Sequence, residues 1–341
     1  MERDTLVGNY RIVEPIDAGG MGVVYVGAHK TLGREVAIKV LMESLSLSDK
    51  VRRRFEQEAY VQAQLEHPHI VKVQDFVQEG KTMAIVMDLV KGPSLAQYMS
   101  ENDGPLSIEH LLHIMDPVVD AVAYAHERGV VHRDIKPGNV LLDRSKDPSG
   151  IGIPKVTDFG LAKILSDTEQ HTKTGSKMGT FPYMAPEQFQ GLKEIGPQAD
   201  LYALAMMAWH LLAGRMPINI ESMHEVFGLY TGAIPFPKLP KLNEGISQEV
   251  EDALLQGLAP EPNERPQGVV AWWKDVKKAL GVGTETPQAT PPVQPTTDPS
   301  SPTEPRIESS PQPAPSASNP PPSAMRPGDD GPKKKPIVAI L

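Results

Sequence analysis

The sequence predicts an α+β fold with two unlike lobes, a small β-rich N-terminal lobe and a larger helical C-terminal lobe. Apolar residues follow the two-residue period of strands over much of the first 90 residues, whereas helical spacing dominates later. Strands and helices are therefore grouped along the chain and do not alternate as βαβ units. The chain has no internal repeat, so we expect one asymmetric domain.

Five strands and one long helix are predicted in the N-terminal lobe. The helix spans Ser48–Glu66, because Ser48 is a suitable N-cap and Pro68 follows the helical pattern. The third strand is the clearest, since its Val and Ile residues alternate with other side chains. The strand segments are Tyr10–Pro15, Val23–Gly27, Glu35–Leu41, Val71–Val77 and Thr82–Val90.

Two segments of the C-terminal lobe are predicted to form helices. Ser107–Arg128 has apolar residues at helical spacing, and Pro117 should kink this helix or open one of its hydrogen bonds. Leu201–Trp209 contains no charged residue. It is too short to span a membrane, so we expect a helix buried in the core of this lobe.

Composition and charge exclude several classes of protein. The chain has 341 residues, of which 34 are basic and 43 acidic, and the net charge of −9 disfavours a dedicated nucleic-acid binder. It contains no cysteine, which excludes disulfides, thiolate metal sites and a cysteine nucleophile. No run of about 18 apolar residues is present, and the N-terminus lacks the pattern of a signal peptide.

The prolines divide the chain into two parts. Residues 1–280 contain 18 prolines and all 18 aromatic residues, whereas residues 281–341 contain 16 prolines and no aromatic residue. A segment of that composition cannot bury enough apolar surface to offset its loss of conformational entropy. We therefore predict a disordered Pro-rich linker over residues 281–336.

A glycine-rich turn lies between the first two predicted strands and contains Gly19, Gly20 and Gly22. Backbone N–H groups in such a turn can approach phosphate oxygens, because no Cβ stands between them. This signal is weak alone, since many hairpins use glycine. A strand follows the turn, which argues against a dinucleotide-binding fingerprint.

Lys39 and Glu58 both lie at positions that predict an inward orientation. Lys39 belongs to the strand Glu35–Leu41, and Glu58 shares the inward helix face with Phe55 and Ala59. A lone buried carboxylate is costly, so an ion pair between the two side chains is one interpretation. The other is that Glu58 reaches solvent at the margin of the apolar face, and periodicity alone does not decide between them.

The most specific polar cluster is His132–Asn139, followed by Asp158-Phe159-Gly160. Apolar residues flank both segments, which predicts short buried strands around a cleft and argues against a solvated charged loop. Oxygen atoms of an amide and a carboxylate suit Mg²⁺, which binds a few protein oxygens together with phosphate oxygens. A further acid in the cluster could orient a hydroxyl group.

Five motifs together resemble the eukaryotic-like, or Hanks-type, protein kinases. The resemblance covers about residues 8–280, with an N-lobe over 8–90 and a C-lobe over 91–280. The Lys136-Pro137 pair is similar to the serine/threonine class, and the Gly-rich loop and Pro-rich arm resemble bacterial receptor-like kinases. The motifs are the Gly-rich loop, Val36-Ala37-Ile38-Lys39, His132–Asn139, Asp158-Phe159-Gly160 and Ala185-Pro186-Glu187.

The resemblance implies an ATP- and Mg²⁺-dependent protein serine/threonine kinase. Asp134 would accept the proton of the substrate hydroxyl, and Lys136 would neutralise charge on the transferred phosphoryl group. Asn139 and Asp158 would bind Mg²⁺. Lys39 would contact the α- and β-phosphates, and Glu58 would hold Lys39, which favours the ion pair.

The resemblance also implies the nucleotide-binding residues. Apolar side chains would cover the adenine ring, backbone groups at the hinge would bind its edge, and the Gly-rich loop would contact the phosphates. The expected residues are Ile16, Gly19, Gly20, Met21, Gly22, Val24, Ala37, Met87, Asp88, Val90 and Leu141. Asp17 stands where the family has the first glycine of the loop, and its charge should weaken ATP binding without abolishing it.

Regulation is expected in the segment between Asp158 and Glu187. The positions of Thr172 and Thr174 within this segment are similar to those of the activation-loop phosphothreonines in bacterial relatives. We therefore expect both to be autophosphorylated. Arg133 is the usual partner of such a phosphate. Dimerisation is a further expectation for activation, and the substrates are expected to be proteins.

The C-terminus resembles the cytoplasmic border of a membrane span, because three lysines precede the apolar residues 337–341. We therefore expect a kinase domain in the cytoplasm, tethered to the inner face of the membrane by a span that begins at residue 337. An accidental apolar ending is the alternative.

Two other functions are consistent with this fold. One is a non-catalytic pseudokinase scaffold that acts through its surface and Pro-rich arm. The other is a small-molecule phosphotransferase. The presence of every catalytic residue argues against the scaffold, and the Ala185-Pro186-Glu187 motif argues against the small-molecule enzyme.

Overall fold

The computed structural model describes residues 1–19, 22–147, 150–159, 181–191, 195–218 and 222–282. For Glu58 it describes the backbone only. Gly20, Met21, Thr172, Thr174 and the arm from residue 283 lie outside the described residues, so the expectations for them stay predictions, as do the domain boundaries.

An antiparallel sheet of six strands forms the N-terminal lobe, in the order β1-β2-β3-β4-β6-β5. β4 has the predicted bounds, and β2 and β3 extend closer to the Gly-rich turn than predicted. Two register shifts interrupt the pairing of β2 with β3 on either side of Pro15. The strands are β1 Leu6–Val7, β2 Tyr10–Ala18, β3 Gly22–His29, β4 Glu35–Leu41, β5 Val73–Glu79 and β6 Thr82–Asp88.

Helix α2, Asp49–Ala63, packs on this sheet and follows the short helix α1, Glu43–Ser46. Ser48 caps α2 as predicted, because its side chain accepts a hydrogen bond from the backbone N–H of Val51. Phe55 and Ala59 are buried in the same apolar cluster as residues of β4 and β6. The apolar face therefore fixes which side of α2 meets the sheet.

The described C-terminal lobe is mostly helical. Its central helix, α6 (Pro197–Ala213), is buried along nearly its whole length, as predicted from the uncharged segment Leu201–Trp209. α4 (Ile108–Glu127) contains Pro117 and is capped by Ser107. The helices are α3 Leu95–Glu101, α4 Ile108–Glu127, α5 Pro186–Phe189, α6 Pro197–Ala213, α7 Met223–Tyr230, α8 Leu239–Leu242, α9 Gln248–Gly257 and α10 Val269–Ala279.

A two-stranded antiparallel sheet lies at the start of this lobe and pairs β7, Val140–Asp143, with β8, Ile153–Val156. It follows the cluster His132–Asn139 and precedes Asp158, as the apolar flanks predicted. The described structure confirms the predicted α+β fold with a β-rich N-lobe and a helical C-lobe. None of the helices in the described ranges is both long and apolar enough to cross a bilayer.

Candidate active site

The loop His132–Asn139 is anchored to α6 by the buried carboxylate of Asp200. Its Oδ2 accepts a hydrogen bond from the backbone N–H of His132 at 2.8 Å, and its Oδ1 accepts one from the N–H of Arg133 at 2.7 Å. Arg133 has φ of 67°, a region that non-glycine residues rarely adopt. This anchor holds the backbone next to Asp134.

Three polar side chains of this loop form one cluster around Asp134. Lys136 Nζ lies 2.7 Å from Asp134 Oδ2. Asn139 Nδ2 donates to the backbone oxygen of Asp134 at 2.7 Å and to its Oδ2 at 3.0 Å. A cation and an amide therefore fix one carboxylate oxygen, and the other, Oδ1, accepts no hydrogen bond from the residues that the structure describes.

The β7–β8 pair brings Asn139 close to Asp158 in space. Val140 lies opposite Val156 in the antiparallel register, so the residues just outside the pair meet at one edge of the sheet. The backbone N–H of Thr157 donates to the carbonyl of Asn139 at 3.0 Å. An amide oxygen and a carboxylate thus lie at the same edge, as a shared cation would require.

Lys39 connects the N-terminal lobe to this site. It lies on β4, is 9% exposed, and its Nζ is 2.7 Å from Asp158 Oδ2. The two residues are 119 positions apart in the sequence. Because the side chain of Glu58 is not described, the ion pair between Lys39 and Glu58 stays a prediction.

An apolar cluster spans the two lobes beside Lys39 and contains five residues expected around the adenine ring. Ala37 and Met87 are buried in it, and the partly buried residues packed against it include Val24, Val90 and Leu141. Asp88 ends β6 and is partly exposed. Ile16 is 52% exposed and is not among the residues of this cluster.

The described part of the Gly-rich loop has one tight and one open glycine. A Cβ on Gly22 would lie 2.0 Å from the backbone oxygen of Val40, so this position requires glycine, whereas a Cβ on Gly19 would have no neighbour within 4 Å. The exposed Asp17 accepts a hydrogen bond from the N–H of Ala18.

His132 joins the two polar loops, a role that no sequence pattern beyond the apolar flanks indicates. Its Nδ1 accepts a hydrogen bond from the N–H of Asp134 at 3.2 Å, so Nε2 is the protonated nitrogen and donates to the carbonyl of Thr157 at 2.9 Å. The ring is fully buried and lies 4.5 Å from that of Phe159. His132 thereby fixes the spacing between Asp134 and Asp158.

Two polar pairs lie in the C-terminal lobe. The first joins Glu187 to Arg265, with nitrogen–oxygen distances of 2.7 and 2.8 Å. The second pair joins Tyr183 to His210 of α6, with 2.6 Å between the hydroxyl and Nδ1. Burial lowers the pKa of His210 to about 4 and raises the pKa of Tyr183, so both groups are neutral at pH 7.

The partly buried His210 predicts a loss of stability in mild acid. Between pH 6.5 and pH 4 His210 is protonated in the unfolded chain but not in the folded chain. The free energy of unfolding therefore decreases as the pH is lowered through this range. The full loss in the free energy of unfolding caused by this histidine is roughly 3 kcal/mol, since a shift of one pKa unit corresponds to about 1.4 kcal/mol. We expect the melting temperature to be lower at pH 5 than at pH 7.

The substitution His210→Gln should reduce the difference between the two melting temperatures. Burial also lowers the pKa of His67, so a smaller dependence in the same direction should remain. The exposed His224 offers the matched control, and His224→Gln should leave the difference unchanged. An equal difference in wild type and His210→Gln would contradict the prediction.

Comparison with known proteins agrees with this geometry. The model of the protein kinase domain family matches residues 10–277. The chain therefore belongs to the protein kinase family. Among curated relatives, serine/threonine-protein kinase PrkC of Bacillus subtilis is 38% identical over 273 residues, which cover 80% of this chain and 41% of PrkC. Serine/threonine-protein kinase PknA of Mycobacterium tuberculosis is 36% identical over 260 residues, which cover 75% of this chain and 58% of PknA.

Comparison with solved structures leads to the same protein kinase family. The crystal structure of the Mycobacterium tuberculosis PknI kinase domain has a TM-score of 0.65 and 28% identity, with 82% of this chain and 99% of that domain covered. The matched region spans about two fifths of PrkC and three fifths of PknA. The names of the relatives support serine/threonine kinase function, and none of these comparisons favours a pseudokinase.

Proposed function

We propose that this chain transfers the γ-phosphoryl group of ATP to Ser or Thr hydroxyls of proteins. The main observation in support of this proposal is the cluster of Asp134, Lys136 and Asn139, which lies next to the Lys39–Asp158 ion pair. Phosphoryl transfer depends on positioning and charge neutralisation more than on covalent chemistry. This site offers a proton acceptor, two cations and two oxygen ligands.

The donor set of Asn139 and Asp158 fits a magnesium ion. Asn139 uses its Nδ2 in two hydrogen bonds to Asp134, which leaves its Oδ1 as the ligand, and Asp158 supplies a carboxylate. Two protein oxygens are typical for Mg²⁺ that is also bound to phosphate. When bound, the ion neutralises charge on the phosphate oxygens.

Each side chain of the site has one proposed role. Asp134 orients the substrate hydroxyl and accepts its proton on Oδ1, while Lys136 neutralises charge on the transferred phosphoryl group. Lys39 contacts the α- and β-phosphates and is held by Glu58. The adenine ring lies in the apolar cluster beside Met87, with its edge on the backbone of Asp88 and Val90. The nucleotide also contacts Ile16, Gly19, Gly20, Met21, Gly22, Val24, Ala37 and Leu141.

Regulation and location belong to the same proposal. We infer that Thr172 and Thr174 are autophosphorylated, which would add charge that Arg133 can bind. The kinase acts on protein substrates, is activated as a homodimer, and is tethered to the inner face of the cell membrane through a C-terminal span.

Transfer of labelled phosphate from ATP tests the proposed function. We expect the wild type to phosphorylate itself on Ser and Thr, to leave Tyr unlabelled, and to stop when the divalent cation is chelated. Lys39→Met should lower the rate about 100-fold, because a charge that positions the phosphates is removed.

The matched control is Lys81→Met. The side chain of Lys81 is 70% exposed and lies 3.7 Å from the exposed Glu43, so the rate should stay within about twofold of wild type. A wild type without any transfer from ATP would refute the proposed activity.

A further inference from the structure

Gln188 joins helix α5 to the catalytic loop through both ends of its side-chain amide. Its Oε1 accepts a hydrogen bond from the backbone N–H of Ala185 at 3.1 Å, which caps α5. Its Nε2 donates to the backbone carbonyl of Arg133 at 2.8 Å. One side chain therefore performs a local capping role and also makes a bond to a residue 55 positions away.

The carbonyl that Gln188 binds belongs to a backbone segment that needs support. Arg133 adopts φ of 67°, which a non-glycine residue keeps only when its surroundings hold it. Asp200 binds its N–H at 2.7 Å, and Gln188 binds its carbonyl. The residue is thus fixed on both sides, one from α6 and one from α5.

The bond to Gln188 acts directly on the peptide that leads into Asp134. The carbonyl of Arg133 and the N–H of Asp134 belong to the same planar group. Rotation of that group would break the 3.2 Å bond from Asp134 N–H to His132 Nδ1 and displace the carboxylate. Small displacements of a catalytic group lower the rate strongly.

We propose that Gln188 is a positioning residue for phosphoryl transfer, because it locks the Arg133–Asp134 peptide in the orientation that presents the Asp134 carboxylate to the substrate hydroxyl. This inference rests on the proposed function. The capping bond to Ala185 is structural, and the bond to Arg133 is the one that supports catalysis.

The substitution Gln188→Glu separates the two roles. A glutamate at the third position of a helix caps as well as glutamine, so α5 should remain intact. At neutral pH a carboxylate cannot donate a hydrogen bond to the Arg133 carbonyl. We expect kcat for phosphoryl transfer to fall about 10-fold, with KM for ATP and the melting temperature within error of wild type.

Gln97 provides the matched control, because it makes the same capping bond in α3 without a bond to the catalytic loop. Its Oε1 accepts from Ser94 N–H at 2.8 Å. Gln97→Glu should keep the wild-type kcat. A second variant, Gln188→Met, removes both bonds of Gln188 and should lower kcat as much as Gln188→Glu, together with a lower melting temperature.

Two outcomes would overturn the inference. One is a wild-type kcat in Gln188→Glu, whether or not Gln188→Met loses activity, and the other is an equal loss in Gln97→Glu. An inactive wild type would refute the proposed function itself, and the inference with it, whereas an active wild type with an unaffected Gln188→Glu refutes the inference alone.

Discussion

We expect Asp134→Asn to lower the rate of phosphoryl transfer about 1,000-fold while the protein remains folded, within the range for loss of a general base. An asparagine keeps one oxygen that can accept from Lys136 and Asn139, as Asp134 Oδ2 does. Its amide nitrogen then replaces Oδ1 and donates where the substrate hydroxyl needs an acceptor. Single-turnover transfer from labelled ATP measures the loss, and an unchanged circular dichroism melt shows that the fold is retained.

Asp120→Asn is the matched control for this experiment. Asp120 is exposed and pairs with His67, so the substitution removes the same charge without touching the catalytic loop. Its transfer rate should stay within about twofold of wild type. If Asp134→Asn transfers phosphate as fast as Asp120→Asn, Asp134 is not the proton acceptor.

The second large effect concerns stability, and we expect Arg265→Met to lower the free energy of unfolding by about 3–5 kcal/mol. Arg265 binds Glu187 through two hydrogen bonds and the carbonyls of Ala259, Gln198 and Pro260 through three more. Its side chain is 0% exposed and that of Glu187 is 7% exposed. Removal of the guanidinium leaves a buried carboxylate without its cation.

Urea unfolding of two further variants checks this explanation. Arg265→Met combined with Glu187→Gln should recover part of the lost stability, because the buried charge is removed as well. Arg11→Met is the control, since Arg11 is exposed and lies 3.6 Å from the exposed Asp4. It should unfold like the wild type. A loss below about 1 kcal/mol in Arg265→Met would contradict the prediction.

Local patterns predicted most of the fold. β4 was predicted to the residue, because its alternating Val and Ile positions match the two-residue period of a strand, and both of its faces are buried. α2 was predicted with its N-cap Ser48, and the segment predicted for α4 begins at Ser107, which caps that helix. Short elements such as β1, α1 and α3 were not predicted. In α3 the signal was Ser94 followed three residues later by Gln97, a capping box.

The site was predicted less completely, because its contacts join distant parts of the chain. The motifs identified Lys39, Asp134, Asn139 and Asp158 as site residues. The spacing of the motifs along the chain, however, does not show that Lys39 lies beside Asp158. The roles of His132 and Gln188 depend on a carbonyl of Thr157 and a carbonyl of Arg133. Backbone carbonyls occur at every position and leave no mark in the sequence.

Local sequence patterns were enough to predict the class of fold, the order of the motifs and the side chains available for chemistry, because periodicity and capping act over a few residues. Which of these side chains are in contact depends on the tertiary structure. The ion pair of Lys39 with Asp158 and the support of Arg133 by Asp200 and Gln188 form only when the lobes and helices pack. Packing is decided by the burial of apolar faces over the whole chain, so no local pattern contains it.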